Sequence, residues 1–555
     1  MHVDDCIYKR DGNTFRRTLL RESYRENGKV KKRTIANISH CSDEEIEAIK
    51  IALKYKNNLP YLHKISNGKC ENGKSMGAVF SLYKVSGHLG FNKILGTSKQ
   101  GNLNLWLVLA RLIDQGSRLS AVRLARLQYG CEILGIDSLN EDSLYYAMDW
   151  IYANKDSIER NIFKQWEISF GQKEKNDHVF LYDITSSYVE GKKNELADWG
   201  YNRDKKKGKQ QIVYGLLTDQ EGEPLAVEVF KGNTKDNKTV KTQIEKIKKR
   251  FGCRYVTFVG DKGMIKSDQI EELTDAEFNY ITSITKDQIR TLIKGEILQL
   301  SLFDEKLCEV EDPEKNIRYI LRRNPYRVEE IKQQREDKIS SIKQKVEKSN
   351  HYLSLHKRAK ADLQVRELNN YIEKLKLNRC IKIKKEDFRK LKIDIDTQEL
   401  EEMSKLDGCY VIKTNLPKEA ADKELIHARY KALAEIEWAF RIEKSELEVR
   451  PFYVRKKGRT SAHFLIALLA YKIQRHLSKC WKDIDFTVPE CIEALKTITT
   501  LVTTIGNAKT ITVPKPNKLC KEILDRIDVK LPEVLPYKEV KVVTRKKLKD
   551  NRKRK

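Results

Sequence analysis

The stretch HVFLYDITSSYVE, residues 178–190, decides the fold, because it combines the pattern of a buried β-strand with one carboxylate. The run from Val179 to Tyr182 is apolar, as in a strand that is covered on both faces. Asp183 follows within this strand or at its end. A buried carboxylate is costly unless it is paired, hydrogen-bonded or bound to a metal ion. The position of Asp183 therefore needs a chemical explanation.

Residues 178–290 contain five predicted strands and two predicted helices. The strands are HVFLYDITSSYVE, QQIVYGLLTD, PLAVEVFKG, YVTFVGDKGM and NYITSIT, and the helices are TVKTQIEKIKKRFG and KSDQIEELTD. Three strands joined by short turns are expected first, and the two helices separate the later strands. This order predicts a mixed α/β sheet and not the regular alternation of a Rossmann fold.

A second aspartate occupies a matching place. Asp261 ends the fourth strand, between Gly260 and Gly263, which allow a sharp turn and a close approach. If the first and fourth strands are neighbours, both carboxylates emerge at one edge of the sheet and repel each other unless a cation lies between them. Oxygen ligands without His or Cys select Mg²⁺ or Mn²⁺. The alternative is that Asp183 caps a turn and Asp261 belongs to a surface loop.

A third acid can come from the predicted helix 424–447. Its candidates are Glu435, Glu437, Glu443, Glu446 and Glu448. We favour Glu437, because it lies beside an apolar stripe that includes Ile436 and Phe440. Tyr430, Glu437 and Lys444 are seven residues apart and share one face of a helix. The alternative is an ordinary amphipathic helix.

The overall charge points to a polyanionic partner. The 555 residues include 108 Lys and Arg against 80 Asp and Glu, which gives a net charge of +28. Nucleic acid is the first candidate for such a protein, and a generically soluble basic protein is the alternative. The 11 cysteines form no C-x-x-C pair, which argues against a zinc ribbon or a disulfide framework. A charged N-terminus and short apolar runs predict a soluble, intracellular protein.

The segments outside the sheet differ in character. FRRTLLRESYRENGKVKKRTIANI predicts two strands around the turn ENGK, and Ser42 with Glu45 forms a predicted capping box. Tyr326 to Asp407 lacks both Pro and Gly, which predicts a long charged helix or a helical hairpin. The predicted domains are a strand-rich unit (1–60), a helical domain (61–177), the first part of the core (178–290), a largely helical insertion (291–404), the second part of the core (405–480) and a C-terminal region with a basic tail (481–555).

Together these motifs resemble a known family. LYDITSSYVEG, GYNRDKKKGKQQIVYGLLTDQEGEPLAVEVFKGNTKDNKT, VTFVGDKGM and DGCYVIKTNL, followed by the helix with Tyr430, Glu437 and Lys444, are similar to bacterial insertion-sequence DDE transposases. The resemblance is most specific to the branch marked by a Tyr-Arg-Glu-Lys signature on the helix of the third acid. It implies an α/β fold with an RNase H-like mixed sheet, interrupted by the insertion at 291–404.

The resemblance also assigns residues. Asp183, Asp261 and Glu437 match the three catalytic, metal-binding acids. Tyr430 and Lys444 match signature positions that contact DNA near the cleaved phosphate. Leu433 stands where the signature has Arg, and Arg441 or Arg429 could supply that phosphate contact instead.

The implied chemistry is two-metal phosphoryl transfer. Two Mg²⁺ ions, for which Mn²⁺ can substitute, would lie about 3.5–4 Å apart, activate a water molecule and stabilise the leaving 3′ oxygen. Asp183 would bridge both ions. The implied partners are double-stranded DNA, namely the element's terminal inverted repeats and the target, and a second copy of the chain in a synaptic homodimer. The implied place is the prokaryotic cytoplasm, in association with the nucleoid and not with a membrane.

Contacts with the element's ends are expected from the region before residue 178. RLSAVRLARLQYG, with Arg118, Arg123 and Arg126, is a candidate DNA-facing helix, and a structural helix with a solvated basic side is the alternative. For Trp438 we favour a core position over stacking on a DNA base. The basic tail, residues 540–555, is expected to contribute nonspecific DNA contacts.

Three rival functions follow from the same residues. A metal-dependent endonuclease would cleave without joining, and an inactive transposase descendant would only bind DNA. The presence of all three acids argues against the second rival. A nucleotide-binding enzyme is the third, and dependence on ATP is not expected.

Overall fold

The computed structural model describes most of the chain. The described residues are 1–10, 13–54, 56, 69–169, 178–204, 206–356, 358–451, 453–505 and 508–544. The basic tail that was expected to contact DNA lies outside them from residue 545 onward.

The N-terminal unit is a three-stranded antiparallel sheet followed by one helix. Its elements are β1 (His2–Arg10), β2 (Asn13–Glu26), β3 (Lys29–Asn37) and α1 (Asp43–Lys54). Asn27 and Gly28 both have positive φ, 50° and 77°, as a tight hairpin turn requires. The Glu45 backbone N–H donates to Ser42 Oγ at 3.2 Å, and the Ser42 N–H donates to Glu45 Oε2 at 2.7 Å. The predicted hairpin and capping box are confirmed, whereas β1 was not predicted.

The next region is mainly helical. It contains β4 (Lys69–Ser75), α2 (Gly77–His88), α3 (Phe91–Leu95), α4 (Lys99–Ile113), α5 (Arg118–Leu127), α6 (Gly130–Ile133), β5 (Ser138–Leu139), α7 (Glu141–Ala153) and α8 (Lys155–Ser169). Helix α4 is buried along nearly its whole length and packs against α7. Its continuous apolar run, LNLWLVLARLI, explains why it lies in the interior.

The core sheet is mixed, as the motifs implied. Its first five strands are β6 (His178–Tyr188), β7 (Gln211–Asp219), β8 (Pro224–Lys231), β9 (Val256–Val259) and β10 (Asn279–Ser283), in the order β8-β7-β6-β9-β10. β6, β7 and β8 pair in antiparallel fashion, and β6, β9 and β10 pair in parallel. The helices among them are α9 (Val240–Glu245), α10 (Ser267–Asp275) and α11 (Lys286–Lys294). The prediction of a mixed α/β sheet is confirmed.

One connection in this sheet differs from the prediction. A long segment, residues 189–210, joins β6 to β7 in place of the short turn that was expected. We call this segment the β6–β7 loop. It carries the GYNRD motif, whose Arg203 and Asp204 contact the elements of the candidate site.

The predicted insertion is helical but also contributes strands. It contains β11 (Cys308–Asp312), β12 (Ile317–Arg323), α12 (Pro325–Leu355), α13 (Ala361–Lys374), β13 (Ile381–Asp387), β14 (Lys390–Ile395) and α14 (Thr397–Ser404). β11 and β12 extend the core sheet through β15 (Cys409–Thr414), which pairs with β10. The 31-residue helix α12 agrees with the predicted long charged helix, and the four strands were not predicted.

The C-terminal part returns to the core. It contains α15 (Lys423–Lys431), α16 (Leu433–Ser445), α17 (Lys457–Cys480), α18 (Val488–Lys496), β16 (Thr499–Ile505), β17 (Ala508–Thr512), α19 (Lys518–Arg526), β18 (Val534–Leu535) and β19 (Lys541–Val542). The single helix predicted over 424–447 is wrong, because the chain breaks at Ala432. The break lets α15 pack on β10 and β12 while α16 packs on β6.

The helical region and the C-terminal region are joined by strand pairing. β4 pairs with β16, and β5 pairs with β19. Helix α17, which is buried continuously from Thr460 to Gln474, packs against α4, α7 and β8. The helical region and the C-terminal region therefore share one core with the central sheet. Among the described residues, none of the helices has the length and apolar character that a membrane span requires.

The central position of α17 generates a prediction about stability. Leu468 is fully buried in this helix, so Leu468→Ala should lower the free energy of unfolding by about 3 kcal/mol through lost burial and a cavity. Leu127→Ala is the matched control, because Leu127 is exposed and should change stability by less than about 0.5 kcal/mol. Chemical denaturation measures both, and equal effects would contradict the described core.

Candidate active site

The pairing of β6 with β9 brings the two aspartates together. Leu181 of β6 is the register partner of Val259 of β9 in a parallel ladder. Asp183 and Asp261 each follow their paired residue by two positions. Because parallel strands run in the same direction, this equal offset places both carboxylates at one edge of the sheet. The expectation that the first and fourth strands are neighbours is therefore confirmed.

Helix α16 packs on β6 and carries the candidate for the third acid, Glu437. Glu437 is exposed and lines an open cavity of about 430 Å³. The residues that line it are Ala434, Glu437, Trp438, Phe440, Arg441 and Lys444. The other glutamates of α16 point elsewhere: Glu443 is buried in the core, and Glu435 lies 3.7 Å from the Arg475 guanidinium. Glu437 is therefore the glutamate of α16 that lines the cavity.

The electrostatics of Asp183 indicate that the three acids influence one another. The pKa of Asp183 is raised to about 7, mainly by burial and also by the negative charges of Asp261 and Glu437. The Ile184 N–H, which donates to Asp183 Oδ1 at 2.7 Å, and the Arg203 guanidinium oppose the shift. Desolvation together with like-charge repulsion is the pattern of a carboxylate cluster that is completed by a cation.

Asp261 is held by the turn that follows β9. Its Oδ1 accepts hydrogen bonds from the backbone N–H groups of Gly263 at 2.9 Å and Met264 at 3.0 Å. A Cβ atom at Gly263 would lie 3.2 Å from the same oxygen. The glycine thus permits the close approach that the sequence suggested, and the turn fixes the carboxylate at the end of the strand.

The donor set suits a hard divalent cation, although no single cage is formed. All three acids offer carboxylate oxygens, the ligands that Mg²⁺ and Mn²⁺ prefer. Within the parts of the chain that the structure describes, no three His, Cys, Asp or Glu side chains are close enough together to hold one metal ion. Like-charge repulsion keeps such carboxylates apart where no cation lies between them. The chemistry of the three carboxylates therefore fits Mg²⁺ or Mn²⁺. The carboxylates are farther apart than the ligands of a single bound metal ion.

The β6–β7 loop ties these elements together through two adjacent residues, Arg203 and Asp204. The Arg203 backbone N–H donates to Ser186 Oγ at 2.9 Å, and the Tyr188 N–H donates to Asp204 Oδ2 at 3.3 Å. Both contacts fasten the loop to β6, the strand of Asp183. We call this pair the Arg203–Asp204 bridge.

The side chains of the bridge reach the elements of the other two acids. The Arg203 guanidinium donates to Asp236 Oδ2 at 2.8 Å, and this oxygen lies beside Gly263 in the turn of Asp261. On the other side, Asp204 Oδ1 accepts from Lys444 Nζ at 3.1 Å and also pairs with Arg450. The bridge thus connects β6, the turn after β9 and helix α16. The sequence alone did not predict this role for the GYNRD motif.

Lys444 is engaged inside the protein. Its Nζ also donates to Thr185 Oγ1 at 2.7 Å, two residues after Asp183. Burial lowers the pKa of Lys444, and the Asp204 carboxylate opposes that shift. The lysine that the resemblance assigned to a phosphate contact therefore has a carboxylate and a hydroxyl as its partners in this structure.

The remaining residues of the third-acid helices fall into two groups. Tyr430 is half-buried and donates from its hydroxyl to Ser283 Oγ at 2.7 Å, and Leu433 packs against the core. Arg441 is exposed, with its guanidinium 5.5 Å from the ring centroid of Trp438. Trp438 is 51% exposed, so the expected core position is wrong. The apolar stripe of α16 runs through Ile436 and Phe440, which turns Trp438 toward the cavity.

The three arginines of the candidate DNA-facing helix α5 lie in different environments. Arg118 is 9% exposed and its Nη2 lies 2.9 Å from His463 Nδ1, so it is a core residue and does not face DNA. It shares the buried face of α5 with Val122 and Ala125, which the charge pattern alone did not reveal. Arg126 is exposed and donates to the Val542 carbonyl oxygen at 3.3 Å. Arg123 is exposed.

Comparison with known proteins identifies the family of the chain. A family model described as the transposase DDE domain matches residues 174–473. This chain belongs to the DDE transposase family. A second family model, the N-terminal domain of IS1634 family transposases, matches residues 6–59, so the chain is an insertion-sequence DDE transposase, as the motifs suggested. The branch with the Tyr-Arg-Glu-Lys signature stays a prediction.

Curated proteins and solved structures give two further comparisons. A search of the curated proteins finds no match. Among solved structures, the chain is similar to a piggyBac transposase in a synaptic complex with hairpin DNA, with 7% identity, 76% of each chain covered and a TM-score of 0.34.

The raised pKa of Asp183 generates a prediction about pH and stability. Its pKa rises from 3.8 to about 7, so the folded state keeps a proton that the unfolded state releases between about pH 4 and pH 7. Stability should therefore fall as pH rises through this window, and Asp183→Asn should remove that loss. Without divalent metal, the variant should be more stable than the wild type at pH 8 by up to about 4 kcal/mol and nearly equal to it at pH 4.

Asp275→Asn, a change at an exposed aspartate of α10, is the control for that experiment. Chemical denaturation in EDTA across the pH range measures all three proteins. A variant less stable than the wild type at pH 8 would contradict the described environment of Asp183.

The Arg203–Asp204 bridge generates a second prediction. Asp204→Asn removes the buried partner of two cations and should cost about 3 kcal/mol of stability. In a Lys444→Met background the same change should cost less, because the pair is already broken. Asp394→Asn, in an exposed pair with Lys384, should cost less than about 1 kcal/mol. Strictly additive effects of the Asp204 and Lys444 changes would refute the described contact.

Proposed function

We propose that this transposase cleaves DNA at the ends of its own insertion sequence and joins the freed 3′-OH ends to target DNA. Asp183, Asp261 and Glu437 are the acids that carry this chemistry. The observation that supports the proposal is their convergence: the β6–β9 register aligns two of them, and the charges of Asp261 and Glu437 both act on Asp183. Carboxylates from three separate parts of the chain approach one another although they repel.

The three acids would hold two divalent cations, Mg²⁺ or Mn²⁺, with Asp183 shared between Asp261 on one side and Glu437 on the other. Bound there, the ions would activate a water molecule and stabilise the leaving 3′ oxygen. Holding ions between pairs of acids is compatible with the absence of a three-ligand cage among the described residues. The raised pKa of Asp183 means that a proton competes with a cation for this carboxylate.

Protein groups beside the acids would position the DNA. Arg441 and Trp438 line the open side of the cavity, where a guanidinium can bind a phosphate. Lys444 lies closer to β6, and a phosphate entering the site would compete with Asp204 for its ammonium group. Tyr430 is fixed through Ser283 at the adjoining edge of β10. The net charge of +28 favours association with the polyanionic backbone.

The partners in this proposal are the element's terminal inverted repeats, the target DNA and a second copy of the chain. End recognition would come from the region before residue 178, where Arg123 remains an exposed candidate and Arg118 does not. A homodimer would hold both ends together during joining. The expected setting is the prokaryotic nucleoid.

The proposal predicts the effect of removing each acid. Asp183→Ala, Asp261→Ala and Glu437→Ala should each lower cleavage and joining by at least about a thousandfold, because each removes a ligand used in the reacting state. End binding should change little. The assay combines purified protein, DNA carrying the element's own ends and Mg²⁺ or Mn²⁺, with a separate binding measurement for each variant.

Glu435→Ala is the matched control, because Glu435 lies on the same helix and faces Arg475. It should keep most of the activity. Full activity of Glu437→Ala would refute the third acid, cleavage without joining would favour an endonuclease, and end binding without cleavage by the wild type would favour an inactive DNA-binding descendant.

A further inference from the structure

Two large aromatic side chains project from the β6–β7 loop. Trp199 is 62% exposed and Tyr201 is 84% exposed. Exposing such rings to water forgoes the burial that usually places Trp and Tyr in a core or an interface. None of the roles described above uses them.

The backbone that carries these rings is tightly held. Asp198 and Gln211 exchange two backbone hydrogen bonds, each 3.0 Å long, and the Gly232 N–H donates to the Leu196 carbonyl oxygen at 3.0 Å. Gly200, between the two aromatics, packs so closely on Gly232 that a Cβ atom would lie 2.3 Å from its carbonyl oxygen. The rings therefore project from an anchored segment and not from a loose one, which is how a preformed binding surface is built.

The same segment leads directly to the acids. Arg203, two residues after Tyr201, donates from its guanidinium to Asp236 Oδ2 at 2.8 Å, beside the turn of Asp261. The Arg203–Asp204 bridge fixes the end of the segment against β6. Trp199 and Tyr201 thus lie within five residues of a segment that is fixed at the edge of the site.

The exposed charges of the β6–β7 loop favour a nucleic acid. The exposed side chains of the β6–β7 loop include four lysines, Lys192, Lys193, Lys206 and Lys207. Lys206 Nζ lies 6.0 Å from the ring centroid of Tyr188. Aromatic rings interleaved with cations form the surface on which successive bases of a single strand stack while the cations neutralise its phosphates. The phosphates of a nucleic acid carry the charge opposite to that of these lysines, which makes a nucleic acid the occupant that this surface fits.

We propose that Trp199 and Tyr201 form a stacking site for unpaired nucleotides of the DNA strand next to the cleaved phosphate. This inference deepens the proposed function and rests on it for the identity of the DNA. A ring face can be covered only by a base whose own face is open, so the site takes bases at a frayed end or a single-stranded tail. Recognition through π-faces accepts any base sequence.

The test measures binding without cleavage. The probes are a duplex with a short single-stranded tail that carries 2-aminopurine, the same duplex with abasic sites in its tail, and a blunt duplex. EDTA in the buffer removes divalent metal. The proteins are the wild type, Trp199→Ala, Tyr201→Ala, Trp199→Phe and Tyr201→Phe. Tyr326→Ala, which removes a ring that is 82% exposed on the insertion, is the matched control.

Each alanine variant should bind the tailed duplex about tenfold more weakly than the wild type and should weaken the quenching of 2-aminopurine fluorescence. Both phenylalanine variants and Tyr326→Ala should behave like the wild type. Affinity for the abasic tail should be the same for all proteins, since it offers no base to stack.

Three results would overturn the stacking site: unchanged affinity of both alanine variants, an equal loss on abasic DNA, or a change of oligomeric mass in place of a change in DNA binding. Failure of the proposed function would look different. It would appear as absence of cleavage by the wild type with metal, while the loss of tail binding in Trp199→Ala persists.

Discussion

The parallel pairing of β6 with β9 is the constraint on which the rest of the site depends. It aligns Leu181 with Val259, so that Asp183, inside β6, and Asp261, just after β9, lie at the same level of the sheet. Two carboxylates brought together in this way repel, and burial makes the ionised form of Asp183 still less favourable. The sheet accepts this cost because its apolar strands fix the positions of both residues. The folded state is therefore less stable without a cation than it would be with a neutral residue at position 183, and in the proposed function a bound cation offsets this loss.

The surrounding structure limits that cost and completes the site. The Ile184 N–H and the Arg203 guanidinium favour the ionised form of Asp183. Asp204 joins Lys444 and Arg450 to the strand of the first acid, which keeps α16 against the sheet. The insertion separates Asp261 from Glu437 along the chain, yet its strands β11 and β12 belong to the core sheet. The site is therefore assembled from distant segments that each have their own reason to pack where they do.

Much of this arrangement could be predicted from local sequence. Apolar runs separated by turns and helices located β6 to β10 and placed Asp183 and Asp261 at matching strand positions. The apolar stripe of α16 singled out Glu437. Helical periodicity cannot tell which side of a helix meets the core when both carry apolar residues, and this is why Arg118 and Trp438 were misplaced. The Asp204–Lys444 pair joins residues 240 positions apart, and no local pattern reveals such a contact.

The central claim is that Asp183, Asp261 and Glu437, from three separate segments, converge on divalent metal. Iron-directed cleavage of the protein backbone tests it most directly. Fe²⁺ bound in place of Mg²⁺, with ascorbate and peroxide, generates hydroxyl radicals that cut the chain near the metal. We expect cuts close to all three residues, suppressed by excess Mg²⁺ and lost in Asp183→Ala. Cuts near one segment alone, or cuts that Mg²⁺ does not suppress, would contradict the account.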